Sequence, residues 1–314
     1  MIRVALIGTG AMVNFHLDAI AKDSDAQLVA VCAAHMESAK RSADPRGVAA
    51  YDDYVKMLEE QKPDAVIINL PHFLHEPCAK ACAEHGCHIL LEKPMSVSYE
   101  SCLNIVETCK KNNVLLQIAH PQGFMAETRM ARKIIGSGEL GELIMVHTQR
   151  STSYYNEKRP KWFWKKETAG GGISINLGAH CLDQFCQLTG SPIKSITGKC
   201  TYIDGMDVDA SAQAFVESES GVTAVITLSG YNWSRNDECT VHLTKGSLKL
   251  RGWVDLYISH GDEDWEKVDC SEFEADPFTY QWQVFAEAVC SGKVTMCSGE
   301  YATNILWSIE QLWK

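Results

Sequence analysis

The feature that most constrains the fold is a regular alternation of strand-like and helical patterns over the first 120 residues. Short runs rich in β-branched residues alternate with stretches of helical periodicity, which is typical of βαβ units built around a parallel sheet. Six strands are predicted, at Arg3–Ile7, Leu28–Cys32, Gly47–Tyr51, Asp64–Leu70, His88–Leu91 and Val114–Ala119. Because crossovers between parallel strands are right-handed, these elements predict a doubly wound Rossmann sheet.

The pattern changes after His120, where longer strand patterns with turns between them replace the βα alternation. A helix is predicted at Met125–Ile135, followed by strands in which Ala210, Ala212, Ala214 and Val216 share one apolar face. Lys245-Gly246 separates two apolar runs as a hairpin turn would, which indicates antiparallel pairing. Further helices are predicted near Ile173–Leu188, Phe278–Val289 and Tyr301–Leu312.

These patterns predict an α/β protein with two domains. The expected boundaries are 1–120 for a dinucleotide-binding Rossmann domain and 121–314 for a substrate-binding and oligomerisation domain. The second is expected to be an α+β domain with a largely antiparallel open sheet, in which helices cover one face and leave the other for solvent or a second subunit.

Charge and cysteine content narrow the class of protein. A formal net charge of -11 leaves no basic surplus for a nucleic-acid backbone or an anionic membrane surface. No apolar run nears the ~20 residues of a membrane span, and the chain enters a strand at Arg3 without a signal-peptide layout. The 13 cysteines fit reduced thiols packed in a core, so no metal site is predicted and the cytoplasm is the expected location.

A glycine-rich turn directly follows the first strand. Its residues are Gly8, Thr9, Gly10, Ala11, Met12 and Val13. The first two glycines match the dinucleotide-binding fingerprint, and Val13 takes the place of the third. Gly8 permits a tight turn and Gly10 permits close approach of a pyrophosphate to the start of the next helix. We therefore expect this turn to bind a nicotinamide dinucleotide.

The end of the second strand bears on the choice of cofactor. An NAD enzyme usually has Asp or Glu there to accept hydrogen bonds from the adenosine ribose, but this chain has Ala33. His35, Lys40 and Arg41 follow and are potential partners for a 2′-phosphate. The cofactor is therefore predicted to be NADP or NAD, with a slight preference for NADP.

Together with the glycine turn, three further segments make the chain resemble the Gfo/Idh/MocA oxidoreductases, which oxidise or reduce sugars, polyols and related alcohols. They are Leu70–His75, Glu92-Lys93-Pro94, and Gly170–Gly172 followed by Asn176–Asp183. The resemblance implies that Leu70, Pro71, His75, Glu92, Lys93 and Gln122 contribute to cofactor binding, with His120 beside Gln122 as a secondary candidate. It also implies a cis peptide between Lys93 and Pro94.

The resemblance also implies the catalytic residues. Lys93 is expected to transfer a proton, His180 to hydrogen-bond the reacting oxygen, and Asn176 to orient the substrate or the nicotinamide ribose. Asp183 is expected to fix the tautomer of His180. Asn176 stands where the family has Asp, so the family's proton relay is altered here. Helical spacing places residues 176, 180 and 183 on one polar stripe, which is independent support for their grouping.

Aromatic and cationic side chains precede this helix. They are Tyr154, Tyr155, Lys158, Arg159, Trp162, Phe163 and Trp164. Aromatic rings can stack on a sugar and cations can bind a carboxylate, but buried aromatic residues more often serve packing, which is the interpretation favoured here.

The sequence thus predicts hydride transfer between nicotinamide and a sugar, inositol or related polyol. Two alternatives remain open. One is an NAD-dependent glycoside hydrolase, in which oxidation is transient, and the other is a non-catalytic sensor that binds a dinucleotide. The expected partners are a small-molecule substrate and further copies of the chain, as a homodimer or homotetramer formed through the C-terminal sheet.

Overall fold

The computed structural model describes residues 1–231, 234–252, 254–261 and 264–314. Packing divides the chain into two compact units. The first contains Met1–Ala119 and Phe278–Thr303, and the second contains His120–Pro277 and Asn304–Lys314. The sequence predicts one boundary, after residue 120, whereas the structure returns a late segment to the first unit.

The regular elements of the described residues are numbered in chain order. The α-helices are α1 (Val13–Ala21), α2 (Met36–Ala43), α3 (Tyr54–Gln61), α4 (His75–Glu84), α5 (Tyr99–Lys111), α6 (Ala126–Ser137), α7 (Lys166–Ala169), α8 (Ala179–Thr189), α9 (Pro277–Ser291) and α10 (Gly299–Leu312). The strands are β1 (Ile2–Ile7), β2 (Ala26–Cys32), β3 (Ala49–Tyr51), β4 (Ala65–Ile68), β5 (His88–Glu92), β6 (Leu116–Ala119), β7 (Leu143–Ser151), β8 (Ile193–Tyr202), β9 (Asp209–Ser218), β10 (Thr223–Ser229), β11 (Asn236–Leu243), β12 (Gly246–Arg251), β13 (Asp255–Ser259) and β14 (Glu266–Lys267).

The first unit contains the predicted parallel sheet. Its strand order is β3-β2-β1-β4-β5-β6, and every described pair is parallel. All four residues of β4 are buried, as expected for a strand covered by helices on both faces. The order reverses between β1 and β4, and open α/β sheets bind their ligands at the carboxyl ends of strands at such a point.

The second unit contains an eight-stranded sheet of order β14-β13-β12-β11-β7-β10-β9-β8. Among the pairs described, β7 and β10 run parallel and the others antiparallel. The predicted apolar face of β9 is confirmed, since Ala210, Ala212, Ala214 and Val216 are buried. The segment around Ser174, Gly178 and Leu182 and the end of α10 face Ala212, Ala214 and Ile226 of this sheet.

The predicted hairpin turn is displaced by one residue. Thr244 and Lys245 form the turn, and Gly246 is already the first residue of β12, paired with Leu243. A side chain at Gly246 would place its Cβ 2.4 Å from the carbonyl oxygen of Ser259 on the next strand. The glycine is therefore required by the close approach of β13 rather than by the turn.

The expectation that the helix near Phe278–Val289 covers the C-terminal sheet is wrong. Trp282 and Phe285 of α9 lie in the core of the first unit, in one cluster with Leu6 and Ile67. The Trp282 indole also donates a hydrogen bond of 2.8 Å to Asp23. An amphipathic pattern shows that a helix has a buried face, but it does not show which core that face joins.

Within the ranges that the structure describes, no helix has the length and apolarity that crossing a bilayer requires.

Candidate active site

The glycine turn of the first unit has the geometry that a dinucleotide pyrophosphate needs. Gly8 has φ of +98°, and a Cβ there would lie 2.1 Å from the carbonyl oxygen of Asn69. Gly10 and Ala11 are exposed at the start of α1, where Met12 provides no side-chain cap. Backbone N–H groups at such a helix start bind anions, so these residues fit the phosphates of the cofactor.

Val13 occupies the place of the third fingerprint glycine. It is buried in the core of the first unit, in one cluster with Leu17 of the same helix and Leu6 of β1. Val13 therefore contributes apolar contact between α1 and the sheet, while Gly10 and Ala11 of the turn stay exposed.

The end of β2 carries the residues expected to choose between the two cofactors. Ala33 is buried, and His35 is exposed at the start of α2. Burial, followed by the charges of Asp53 and Asp52 just after β3, raises the pKa of the Cys32 thiol to about 12. The neighbouring strand thus brings carboxylates toward the end of β2, which the sequence reasoning did not anticipate.

Lys93 directly follows β5, two strands from β1 in the sheet order. The preceding Glu92 is buried, and its two carboxylate oxygens have separate partners. Oε1 lies 2.8 Å from Nε2 of His16 on α1, and Oε2 accepts a hydrogen bond of 3.1 Å from the backbone N–H of Lys93. Glu92 therefore links the first helix to the main chain of Lys93, and the Lys93–Pro94 bond is cis, as the resemblance implies.

His75 lies between the backbone that follows β4, at Leu70, and the backbone that follows β5, at Pro94. Its Nδ1 lies 3.0 Å from the carbonyl oxygen of Pro94, and its Nε2 lies 2.8 Å from that of Leu70. Burial lowers the pKa of His75, which favours the neutral ring, and its single N–H can donate to only one of these two carbonyl oxygens. Because the ring is wholly buried, its contribution to cofactor binding would be indirect, whereas Leu70 and Pro71 are half-buried at the end of β4.

In the second unit, the candidate residues 176, 180 and 183 lie on one helical run with two different geometries. Asn176 belongs to a π-helical turn, Ser174–Gly178, and is half-buried. His180 and Asp183 belong to α8, which continues the run and buries both side chains. The sequence predicts the grouping, but not the π turn between its members, and π turns are frequent at functional sites.

Asp183 is completely buried among polar side chains. Its Oδ1 accepts a hydrogen bond of 3.3 Å from Gln187, and its Oδ2 lies 4.0 Å from Nδ1 of His120. Gln122 is also buried nearby in the chain, in the turn after His120. The structure therefore adds His120 to the surroundings of Asp183, while the expected effect of Asp183 on the His180 tautomer stays a prediction.

The aromatic segment before α7 packs largely on itself. The Arg159 guanidinium lies 3.7 Å from the ring centroid of Tyr154 and 4.8 Å from that of Phe163. Tyr154 is buried, and Trp162 stacks on Phe163 with their centroids 3.7 Å apart. These contacts agree with the packing interpretation, and the exposed cations of the segment are Lys158, Lys161, Lys165 and Lys166.

Within the described ranges, no group of three or more His, Cys, Asp or Glu side chains is arranged to hold a metal ion. A cavity of about 340 Å³ opens in the first unit beside Lys22, Asp23 and Trp282. It lies near the amino ends of β1 and β2, and none of the predicted site residues lines it.

Two family models match most of the chain. One, described as an oxidoreductase family with an NAD-binding Rossmann fold, matches residues 2–120, and the other, a GFO/IDH/MocA C-terminal domain, matches residues 128–249. The chain belongs to the GFO/IDH/MocA oxidoreductase family. This GFO/IDH/MocA chain is 33% identical over 200 residues to the D-glucoside 3-dehydrogenase of Escherichia coli (strain K12), a match that spans 62% of this chain and 56% of the relative.

A more distant relative is matched over more of its length. The D-xylose 1-dehydrogenase (NADP(+)) 2 of Haloferax volcanii is 24% identical over 305 residues, which is 93% of this chain and 90% of the relative. Among solved structures, the aldose-aldose oxidoreductase from Caulobacter crescentus complexed with glycerol superposes with a TM-score of 0.91 at 20% identity, covering 99% and 96% of the two chains. This likeness shows that the GFO/IDH/MocA fold is shared.

The sequence does not single out two polar residues that contact the candidate segments, Asn69 in the first unit and Asp209 in the second. Asn69 follows β4, and its side-chain amide lies 3.4 Å from the carbonyl oxygen of Gly8, so it braces the glycine turn. Asp209 begins β9 and binds the backbone of the glycine-rich segment that precedes the π turn. The sequence signal for Asn69 is a polar residue at the end of an apolar strand. The signal for Asp209 is a carboxylate at the start of a strand in which alanines alternate with other residues.

Proposed function

We propose that the protein catalyses reversible hydride transfer between C4 of a nicotinamide dinucleotide and a carbon that bears a hydroxyl or carbonyl group, on a sugar, inositol or related polyol. The observation that carries the proposal is the position of Lys93. Its backbone is held at the carboxyl edge of the Rossmann sheet by Glu92, in the same unit as the glycine turn. Family membership and the dehydrogenase relatives support the same reaction class.

The residues of the chain would bind, orient and move a proton. A bound nicotinamide dinucleotide would supply the hydride acceptor for oxidation and the hydride donor for reduction. In oxidation the C–H bond of the substrate breaks with both electrons leaving as hydride, and Nζ of Lys93 takes the proton of the hydroxyl group. His180 hydrogen-bonds the same oxygen, and Asn176, which cannot take up a proton as the family's Asp would, orients the substrate or the ribose.

The dinucleotide would be held by the first unit. Gly8, Thr9, Gly10, Ala11 and Met12 would hold the phosphates, and Leu70 and Pro71 would contact the cofactor at the end of β4. Glu92 and His75 act through Lys93 and Pro94. Ala33, His35, Lys93 and Gln122 are further candidates for contacts with the cofactor, and His120 is a secondary one.

NADP(H) is proposed to bind at least as well as NAD(H), because Ala33 leaves no carboxylate at the end of β2. Asp52 and Asp53 oppose this preference, since their charges reach Cys32. Titration of both reduced dinucleotides by fluorescence decides between the two effects. NAD(H) binding more than about tenfold tighter, roughly 1.4 kcal/mol, would contradict the proposal.

The experiment that tests the proposed function is a panel of sugars, polyols and inositols assayed with both cofactors. Net accumulation of reduced dinucleotide supports a dehydrogenase. Release of a leaving group with no net reduction supports the glycoside hydrolase, and dinucleotide binding without any turnover supports the sensor.

The compartment and the assembly are also proposals. All 13 cysteines are free thiols, which fits a reducing compartment such as the cytoplasm. The open face of the second sheet carries one exposed apolar pair, Phe215 opposite Val225, between rows of polar side chains. We propose that this face contacts a second copy of the chain in a homodimer or homotetramer.

A further inference from the structure

The helical run that carries Asn176 and His180 begins at residues whose side chains do not cap its first backbone N–H groups. Ile173, at the start of the π turn Ser174–Gly178, contributes no side-chain hydrogen bond, and neither does Gly178 at the start of α8. The first N–H groups of a helix need acceptors when they are buried, and the helix start also favours a negative charge.

Asp209, the first residue of β9, supplies both the hydrogen-bond acceptors and the negative charge. Its Oδ1 accepts a hydrogen bond of 2.9 Å from the N–H of Gly172, and its Oδ2 accepts one of 2.8 Å from the N–H of Ser174. The residue is 1% exposed, so these bonds are shielded from water. Hydrogen bonds to charged groups are among the stronger ones in proteins.

The fit around Asp209 leaves little freedom. A Cβ at Gly172 would lie 1.9 Å from the carbonyl oxygen of Asp209. The phenol of Tyr155 donates a hydrogen bond of 2.5 Å to that same carbonyl. Burial and the nearby Asp209 carboxylate raise the pKa of Tyr155, so the phenol keeps the proton that it donates. Residue 209 therefore joins the aromatic segment to the glycine-rich segment.

The geometry of this helix start decides how its polar side chains are directed. In an α-helix, residues four apart differ by about 40° around the axis. A π turn closes with i→i+5 bonds and changes that angle. Asn176 lies within the π turn and His180 lies after it, so whatever fixes the π turn also fixes their relative directions.

We infer that Asp209 is a positioning residue, which holds the start of the helical run so that Asn176 and His180 are correctly oriented for the reaction. The inference rests on the proposed hydride transfer. Asp209 itself need not touch the substrate, because it acts through the backbone of Gly172 and Ser174.

The test compares Asp209→Asn with Asp207→Asn. Asp207 is an exposed carboxylate two residues earlier that accepts a hydrogen bond from the N–H of Lys166 at the neighbouring α7. With a substrate from the panel, Asp209→Asn is expected to lower kcat about 10²-fold, an effect of the size that misplacement of reacting groups produces. Dinucleotide affinity should stay within about twofold, and Asp207→Asn should leave kcat unchanged.

A double-mutant cycle separates positioning from general destabilisation. In the Asn176→Ala background, Asp209→Asn should lower kcat less than about threefold further, because residues that act as a unit are not additive. Amide hydrogen exchange should rise across residues 172–178. Additive losses in kcat, or unchanged exchange there, would overturn the inference.

Failure of the proposed hydride transfer and failure of the Asp209 inference give different results. A wild-type protein without turnover contradicts the proposed function, and the exchange measurement then still tests the hold of Asp209 on the π turn. If Asp209→Asn does not fold, Tyr155→Phe replaces it. That variant removes the bond to the carbonyl of residue 209, and it is expected to lower kcat several-fold with unchanged dinucleotide affinity. A Tyr155→Phe variant with wild-type kcat would then overturn the inference.

Discussion

Lys93 is the residue on which the proposed chemistry depends most. Its side chain is half-buried at the end of β5, and Glu92 fixes its backbone. If Lys93 transfers the proton, Lys93→Met should lower kcat about 10²–10⁴-fold, the usual contribution of a general acid–base group. Dinucleotide affinity should change little, because the glycine turn is untouched.

The matched control for this prediction is Lys56→Met. Lys56 is an exposed lysine of the same unit, 3.9 Å from Glu60 on the same helix, and its replacement should leave kcat and dinucleotide affinity at wild-type values. Steady-state kinetics and binding titrations give both quantities. A Lys93→Met enzyme with kcat within about tenfold of wild type would move the proton transfer to His180.

Among individual residues, the sequence predicts those that belong to a local sequence motif. Lys93, His180 and the two glycines of the turn belong to such motifs. Asn69 and Asp209 do not, because each acts on a segment far away in the chain, and the contact exists only after the strands have assembled. The surroundings of Asp183 are a similar case, since His120 approaches it from outside α8.

Among the elements, the glycine turn after β1 makes the sharpest prediction. Gly8→Ala requires a positive φ, which costs an ordinary residue roughly 1–2 kcal/mol, and it also places a Cβ 2.1 Å from the carbonyl oxygen of Asn69. The turn must therefore move, and dinucleotide binding should weaken by more than about tenfold, or roughly 1.4 kcal/mol.

Gly86→Ala is the control for backbone strain alone. Gly86 has φ of +76° in the same unit, and no described atom lies within 4 Å of the position that its Cβ would take. Thermal unfolding should show a loss of stability in both variants, larger for Gly8→Ala because of the contact with Asn69, whereas only Gly8→Ala should lose affinity in the titration. Equal affinities for both variants would mean that the turn does not hold the phosphates.

The elements also show what limits prediction from sequence. The six strands of the first sheet are confirmed. The signal is clearest for β4, β5 and β6, which are short runs buried almost throughout, whereas the three residues of β3 are only half-buried. The π turn at Ser174–Gly178 has no comparable signature, since it depends on Asp209 and Gly172. The sequence pattern of α9 shows that the helix has a buried face, but not that this face packs in the core of the first unit rather than against the second sheet.

For the whole molecule, thiol reactivity is predicted to be low despite the 13 cysteines. Cys290 is exposed, and Cys200 and Cys270 are partly exposed, while the others are buried. Burial raises the pKa of Cys32, Cys87 and Cys200 to about 12, so few of these thiols are thiolates near neutral pH. A disulfide reagent should label one thiol rapidly in the native protein and all thiols after denaturation. Fast labelling that persists in Cys290→Ser would contradict this.

The second sheet carries the prediction about assembly. Successive rows across its strands alternate between the two faces. Val216 and Ala224 pair across β9 and β10 and are buried, whereas the next row pairs Phe215 with Val225, which are 51% and 45% exposed. Met145 on β7 is also exposed, at 48%. Apolar side chains of this size, side by side on an open sheet face, favour association with a second copy through the same face.

Val225→Arg should therefore dissociate the assembly, because the contact is isologous and each interface would bury two unpaired guanidinium groups, one from each copy. Light scattering during size exclusion should give a multiple of 34.8 kDa for the wild type and half of that mass for the variant. Val294→Arg replaces an exposed valine of the first unit and should keep the wild-type mass. A wild-type protein that elutes as a monomer, or a Val225→Arg variant that keeps the wild-type mass, would show that copies do not meet through this face.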